Sequence, residues 1–139
     1  MAHIHISGIK MTIIEDGKEV KLINLTPHPL NIIQGEDSLE LPGVPLERAP
    51  RVEETIEEIG KIGDFPIRRK SLSKKIIGLP EPEDNTYFIV SSLVAQAAKD
   101  RRDLLVPAPV RNERGQVVGC DGFFTLYESL YERRNKNEA

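Results

Sequence analysis

His28 stands between Pro27 and Pro29 and is the only histidine away from the N-terminus. An imidazole titrates near neutrality, so it is the obvious proton carrier if the chain performs any acid–base chemistry. The two prolines forbid regular helix and stiffen the backbone, which restricts the direction in which the ring points. A second stretch with chemical potential is Ser91-Ser92, placed directly after the apolar run Tyr87-Phe88-Ile89-Val90 and before Leu93-Val94-Ala95. Serine is a preferred helix cap, and the first amides of a helix that starts at the end of a strand can hold an anion. Asn24 and Thr26 precede His28, and Arg51, Arg102 and Arg111 could supply positive charge. Together these residues suit a phosphate-bearing small molecule such as a nucleotide. A hydrolytic variant of the same pocket requires His28 to reach the phosphate. A Ser-His-acid set could be assembled from Ser91 or Ser92, His28 and Asp103, but such a trio can be picked from almost any chain of this size.

The segment 86–103 is the only place where a strand-like run feeds directly into a helix-like one, with Leu93, Val94 and Ala97 on the buried side. Lys99, Arg101 and Arg102 then suit the helix C-terminus, where positive charge complements the dipole. Upstream, Ile13, Ile14, Asp16-Gly17, Val20, Leu22 and Ile23 predict a hairpin, because Asp-Gly tolerates the positive φ of a two-residue turn. Leu30, Ile32 and Ile33 resume a strand, and Leu39 to Leu41 could pair as a short edge. Within 51–59 the apolar spacing is compatible with helix or strand; Gly60, Gly63 and Pro66 favour a hairpin of two strands. Its second half carries the densest basic run, Arg68, Arg69, Lys70, Lys74 and Lys75, either an exposed strand face or a surface for phosphates. Leu104 to Val106 reads as a strand ended by Pro107 and Pro109, followed by a strand through Val117, Val118 and Cys120. For 123–131, Phe123, Tyr127, Leu130 and Tyr131 recur at helical spacing, whereas Phe123-Phe124-Thr125-Leu126-Tyr127 could prolong the preceding strand.

Other constellations are weak. His3 and His5 share a strand face but lack a third ligand, and Glu81, Glu83 and Asp84 lack the glycine-centred spacing of a calcium loop, so no metal site is expected. The single cysteine, Cys120, excludes an internal disulfide and reads as a buried thiol rather than a nucleophile. There is no phosphate-binding glycine loop, no G-x-G-x-x-G, no H-E-x-x-H and no G-x-S-x-G, and no cofactor is implied. A net charge of −3 over 139 residues argues against extended nucleic acid as partner. No apolar run is long enough for a membrane helix or a secretory signal, which points to the cytoplasm.

The segments LINLTPHPLNII, GLPEPEDNTYFIVSSLVAQAAKDRRDLLVP and VRNERGQVVGC resemble a group of short bacterial and phage proteins of unknown function. These open with an N-L-T-P-H-P/A motif and carry a later Y-x-V-S-x-L-V-A-type stretch. The resemblance covers about residues 20 to 121 and implies one small intracellular domain, of a kind encoded by phages or other mobile elements. In layout alone the chain is also similar to small viral α/β proteins that bind cyclic oligonucleotides.

The expected fold is a single α+β domain over 11–127: a largely antiparallel twisted sheet, curling toward a half-barrel, with one central short helix and a C-terminal helix as an option. Residues 1–10 read as a leader, a loose terminus or an added edge strand, and 128–139 as a C-terminal helix or frayed tail. Unpaired sheet edges would allow a homodimer. Two functions besides ligand binding stay open: a hydrolase or phosphodiesterase in the same pocket, and a protein-interaction module, such as a phage-encoded inhibitor of a host protein, working through a sheet edge or the basic run.

Overall fold

The computed structural model describes residues 2–128. Ten strands account for most of them: β1 (His3–Ser7), β2 (Lys10–Glu15), β3 (Lys18–Asn24), β4 (Leu30–Gln34), β5 (Asp37–Leu41), β6 (Arg51–Ile62), β7 (Phe65–Ile77), β8 (Thr86–Ile89), β9 (Leu104–Arg111) and β10 (Val117–Phe124). One helix, α1 (Ser92–Ala97), lies between β8 and β9. Eight strands form one sheet in the order β1-β2-β3-β8-β9-β10-β4-β5, and β6 pairs only with β7. Within the large sheet β3/β8, β8/β9 and β10/β4 are parallel and the remaining pairs antiparallel.

Alternation along β8 explains how one short strand organises two cores. Phe88 and Ile89 are adjacent, so their side chains leave opposite faces of the sheet. Phe88 joins Leu25, Val52, Val94, Ala95, Ala98 and Leu104 under α1 and the base of β6. Ile89 joins Met11, Leu22, Ile32, Leu41 and Cys120 on the other side. That second cluster draws on β2 and β3 from one end of the sheet and on β4 and β5 from the other. Two ends can share a core only if the sheet curls, and it curls nearly into a barrel. The strand at residues 3–7 adds to the edge of β2, with Ile4 and Ile6 packed against the second cluster.

The α+β expectation is overturned: the described residues are mostly β, and the one α-helix among them has six residues and forms no layer of its own. The serine cap and the small apolar residues after it do make a helix. The helix is short as expected but stops before Lys99, Arg101 and Arg102, the residues expected at its C-terminus, because the chain leaves helical geometry at Ala98 (φ −132°, ψ 53°) and must turn back to start β9 at Leu104. The Asp16-Gly17 hairpin is present, with φ of 52° and 76° at those residues. Residues 51–62 are strand, not helix. β9 runs on through Pro107 and Pro109 to Arg111, against the expectation that these prolines end it. Two features accommodate them: β8 pairs with β9 only at Leu104 and Leu105, and β10 is bulged between Cys120 and Gly122 opposite that stretch. Phe123 and Phe124 belong to β10, while the helix or tail expected at 128–139 falls outside the described residues beyond Glu128.

Cys120 is 2% exposed, and burial, aided by Asp121, pushes its thiol pKa up. The folded state therefore holds it neutral. Its share of stability is complete below the ordinary thiol pKa of 9.0 and is lost as pH climbs above it, where the unfolded chain ionises first. Modification by a thiol reagent at neutral pH is expected to follow the rate of unfolding. Labelling of the native protein as fast as a free thiol would contradict this placement.

Candidate functional site

The corner between β3 and β4 is held by one fully buried side chain. Asn24 donates from Nδ2 to the carbonyls of His28 (3.0 Å) and Leu41 (3.1 Å), and its Oδ1 accepts from the Thr26 amide (3.0 Å) and the Thr26 hydroxyl (2.7 Å). The Thr26 hydroxyl also lies 3.0 Å from the His28 carbonyl. Both residues are thus committed to the bend itself and have no spare polar group to offer a ligand. Leu25 donates its amide to the Ile89 carbonyl and Val44 donates to Thr26, which ties the corner to β8 and to the chain after β5. The His28 side chain is exposed, outside the hollow described next.

That hollow, of about 490 Å³, is walled mainly by Pro27, Leu46, Ala49 and Pro50, with Glu47, Arg51 and Ser91. Of the predicted site residues it brings together Arg51 and Ser91. The Ser91 hydroxyl already accepts the Val94 amide at 3.3 Å as the helix cap, and the Ser92 hydroxyl accepts from Gln96 at 3.0 Å. A helix of six residues also carries little dipole, so α1 is a weaker anion holder than its sequence suggests.

The other arginines lie elsewhere. Arg102 lines a separate hollow of about 500 Å³ with Tyr87, Asn85, Glu83, Asp84 and Asp100, and its guanidinium sits 5.4 Å over the Tyr127 ring. Arg111 reaches from β9 to the Gly115 carbonyl at 2.8 Å and braces the β9–β10 turn. Asp103, the acid of the imagined trio, is 8% exposed and grips Arg101 through two bonds of 2.8 and 2.7 Å. Arg101 also donates to the Pro80 carbonyl at 3.0 Å, and its pairing with Asp103 raises its pKa further. Among the described residues no three potential metal ligands gather, and no helix is long and apolar enough to cross a membrane.

Comparison with known proteins adds no second line of inference: no family model, no curated protein and no solved structure matches the chain.

The feature that sequence reading undervalued is the β6–β7 hairpin. Twelve and thirteen residues long, it extends about 40 Å at the usual strand rise. Only its base is anchored: Val52 is buried, and Ile76 packs beside it against the α1 cluster. From Glu54 to Leu72 every residue is exposed except the half-buried Pro66. The register sets acid against base at Glu58/Arg68 and Glu57/Arg69, while Lys70 reaches Glu54 at 3.1 Å. Cross-strand pairs of this kind support the ribbon and account for Arg68, Arg69 and Lys70 of the basic run. They do not account for Ile56, Ile59, Ile62, Phe65, Ile67 and Leu72, whose exposure rises to 69% at Ile62 and 76% at Phe65. The available signal was the recurrence of bulky apolar residues in a hairpin with no third strand assigned to cover it.

Proposed function

We propose that this protein is an interaction module, acting in the cytoplasm, whose β6–β7 arm docks onto a protein partner. The observation that carries the reading is that no described element packs a core against residues 54–72 of the arm. A two-stranded ribbon with both faces in water is marginal by itself, yet this one is long and presents six large apolar side chains along its length. Three of them, Ile62, Phe65 and Ile67, share one face of the tip by register, and an exposed apolar cluster of that kind marks an interaction surface. Replacing residues 54–72 by a two-residue Asn-Gly turn leaves both cores untouched, since none of those residues belongs to either cluster. The shortened chain is expected to melt near the parent temperature and to lose a stoichiometric protein association that the intact chain shows on affinity isolation. An intact chain that associates with no protein, its own copies included, would end the proposal.

A second reading rests on the pairing of Arg51 with Ser91 in one hollow. Its volume falls within the usual range for small-molecule pockets, and a phosphate-bearing ligand, such as a nucleotide, would find there one guanidinium and a hydroxyl at a helix start. Stabilisation by a nucleotide in a thermal-shift panel, abolished by Arg51→Met, would support it. The absence of any shift across the panel would dismiss it. Turnover in the same hollow would require His28 to swing in from outside.

A further inference from the structure

Building on the interaction reading, we propose that the arm's partner is the arm of a second copy of this chain, the two ribbons packed face to face with their tips pointing the same way. The argument is one of register. Ile62 is paired with Phe65 and Gly60 with Ile67, so these four positions, two apart on each strand, share one face of the tip. Beyond the β6 bulge between Glu58 and Gly60 the same face continues through Glu57/Arg69 and Thr55/Ser71. β6 alternates without interruption from Val52 to Glu58, because the extra residues at the arm base lie in β7. Val52 points into the α1 cluster, so Thr55 and Glu57 point away from it. This face is therefore the one that the arm's own body leaves open.

A two-fold axis running along the arm sets each β6 residue of one copy over the β7 residue of the other that matches its own cross-strand partner. Phe65 then meets Ile62, Ile67 falls over Gly60, Thr55 meets Ser71, and Glu57 meets Arg69, each contact made twice by symmetry. The large side chain at 67 lies over the position with none, where the surroundings are open: no atom lies within 4 Å of a Cβ built at Gly60. The acid at 57 meets a base. Other two-fold arrangements of the same ribbons fail this test. Edge-to-edge pairing joins β6 to β6 or β7 to β7, and face-to-face packing with opposed tips lays like strand over like strand. Either sets the glutamates of β6 or the Arg68-to-Lys75 run against itself, which costs affinity. Self-complementarity of one patch is what a closed two-fold dimer demands.

The test separates contacts between copies from contacts within one hairpin, where Glu57 and Arg69 are also neighbours. Glu57→Arg and Arg69→Glu are made as full-length single variants and followed by sedimentation equilibrium alone and mixed. Wild type is expected to be dimeric. Each single variant, with two like-charge contacts across the axis, should dissociate at least about tenfold more readily. The equimolar mixture should recover dimers containing one of each. Across their axis the two substituted positions meet as base against acid, and so do the two unsubstituted ones, although each hairpin keeps its internal mismatch. Circular dichroism and melting of each variant check that the body is folded. A monomeric wild type, single variants that dimerise as tightly as wild type, or a mixture no tighter than its components would each overturn the pairing. A monomeric wild type that still binds a different protein through the arm would leave the interaction reading standing. No arm-dependent association of any kind would remove both.

Discussion

Asn24→Ala is expected to destabilise the protein by about 3–5 kcal/mol, a large fraction of the roughly 5–15 kcal/mol by which a folded domain is typically stable. The side chain is 0% exposed and forms four hydrogen bonds, three of them to backbone groups. Truncation strands the Leu41 carbonyl and the Thr26 amide in an interior where water cannot replace the amide without rearrangement, and leaves the His28 carbonyl with only the Thr26 hydroxyl. Each such buried group costs about 1–3 kcal/mol when unpaired. The corner also positions Leu25, whose amide bonds to Ile89 at the centre of the sheet, so the damage reaches both cores. Asn24→Asp refines the prediction. It keeps the acceptor for Thr26 but replaces two donated bonds by a carboxylate facing two carbonyls. The fold then favours the protonated acid, the carboxyl pKa is raised in the folded state, and stability is lost as pH rises through that value. Urea melts should show Asn24→Asp closest to wild type near pH 4 and falling away toward neutrality. A pH-independent deficit, or an Asn24→Ala variant within about 1 kcal/mol of wild type, would show that the corner is held by something else.

Gly43→Ala is expected to cost about 3 kcal/mol or more, although it adds a single methyl group. A Cβ at that position would lie 2.3 Å from the Thr26 carbonyl oxygen and 2.7 Å from that of His28. Both obstacles are backbone, and both carbonyls belong to the corner that Asn24 braces, so neither can yield without disturbing it. The chain at 43–44 would have to withdraw, taking with it the 2.9 Å bond from the Val44 amide to Thr26. Gly60→Ala is the control. A Cβ there meets nothing within 4 Å in the monomer, and alanine is the easier residue to order in a strand. Chemical denaturation of the pair should therefore show a large loss for Gly43→Ala and little or none for Gly60→Ala. Similar losses in both would refute the close approach at Gly43.

The two predictions meet at the same corner, which alters the standing of the N-L-T-P-H-P segment as a functional motif. By type and spacing, Asn24 and Thr26 suit a ligand site beside His28. In the folded protein their polar atoms are turned inward to close a bend between two strands of the large sheet. A defect in any activity after mutation of either residue would thus report on folding first. Arg51, which shares a hollow with Ser91, and the exposed arm are the places where substitution tests function with least damage to the body.

Local chemistry in the sequence was sufficient for the hairpin at Asp16-Gly17, the strand through Tyr87 to Ile89, the serine-capped helix start and the proline-braced corner, since each depends on the conformational preferences of adjacent residues. Alternation and glycine punctuation likewise pointed to the hairpin at 51–69. Only the tertiary structure decided that α1 ends after six residues, that β9 continues past two prolines, and that Arg51, Arg102 and Arg111 lie at three different sites. It also decided that Asn24 is a buried brace and that no other described element covers the apolar residues of β6 and β7. The division has a physical cause. Turns and caps are set by backbone torsions and hydrogen bonds over a few residues, whereas burial depends on which distant strands come to lie alongside, and a pattern of apolar side chains does not say whether the surface that covers it belongs to the same chain.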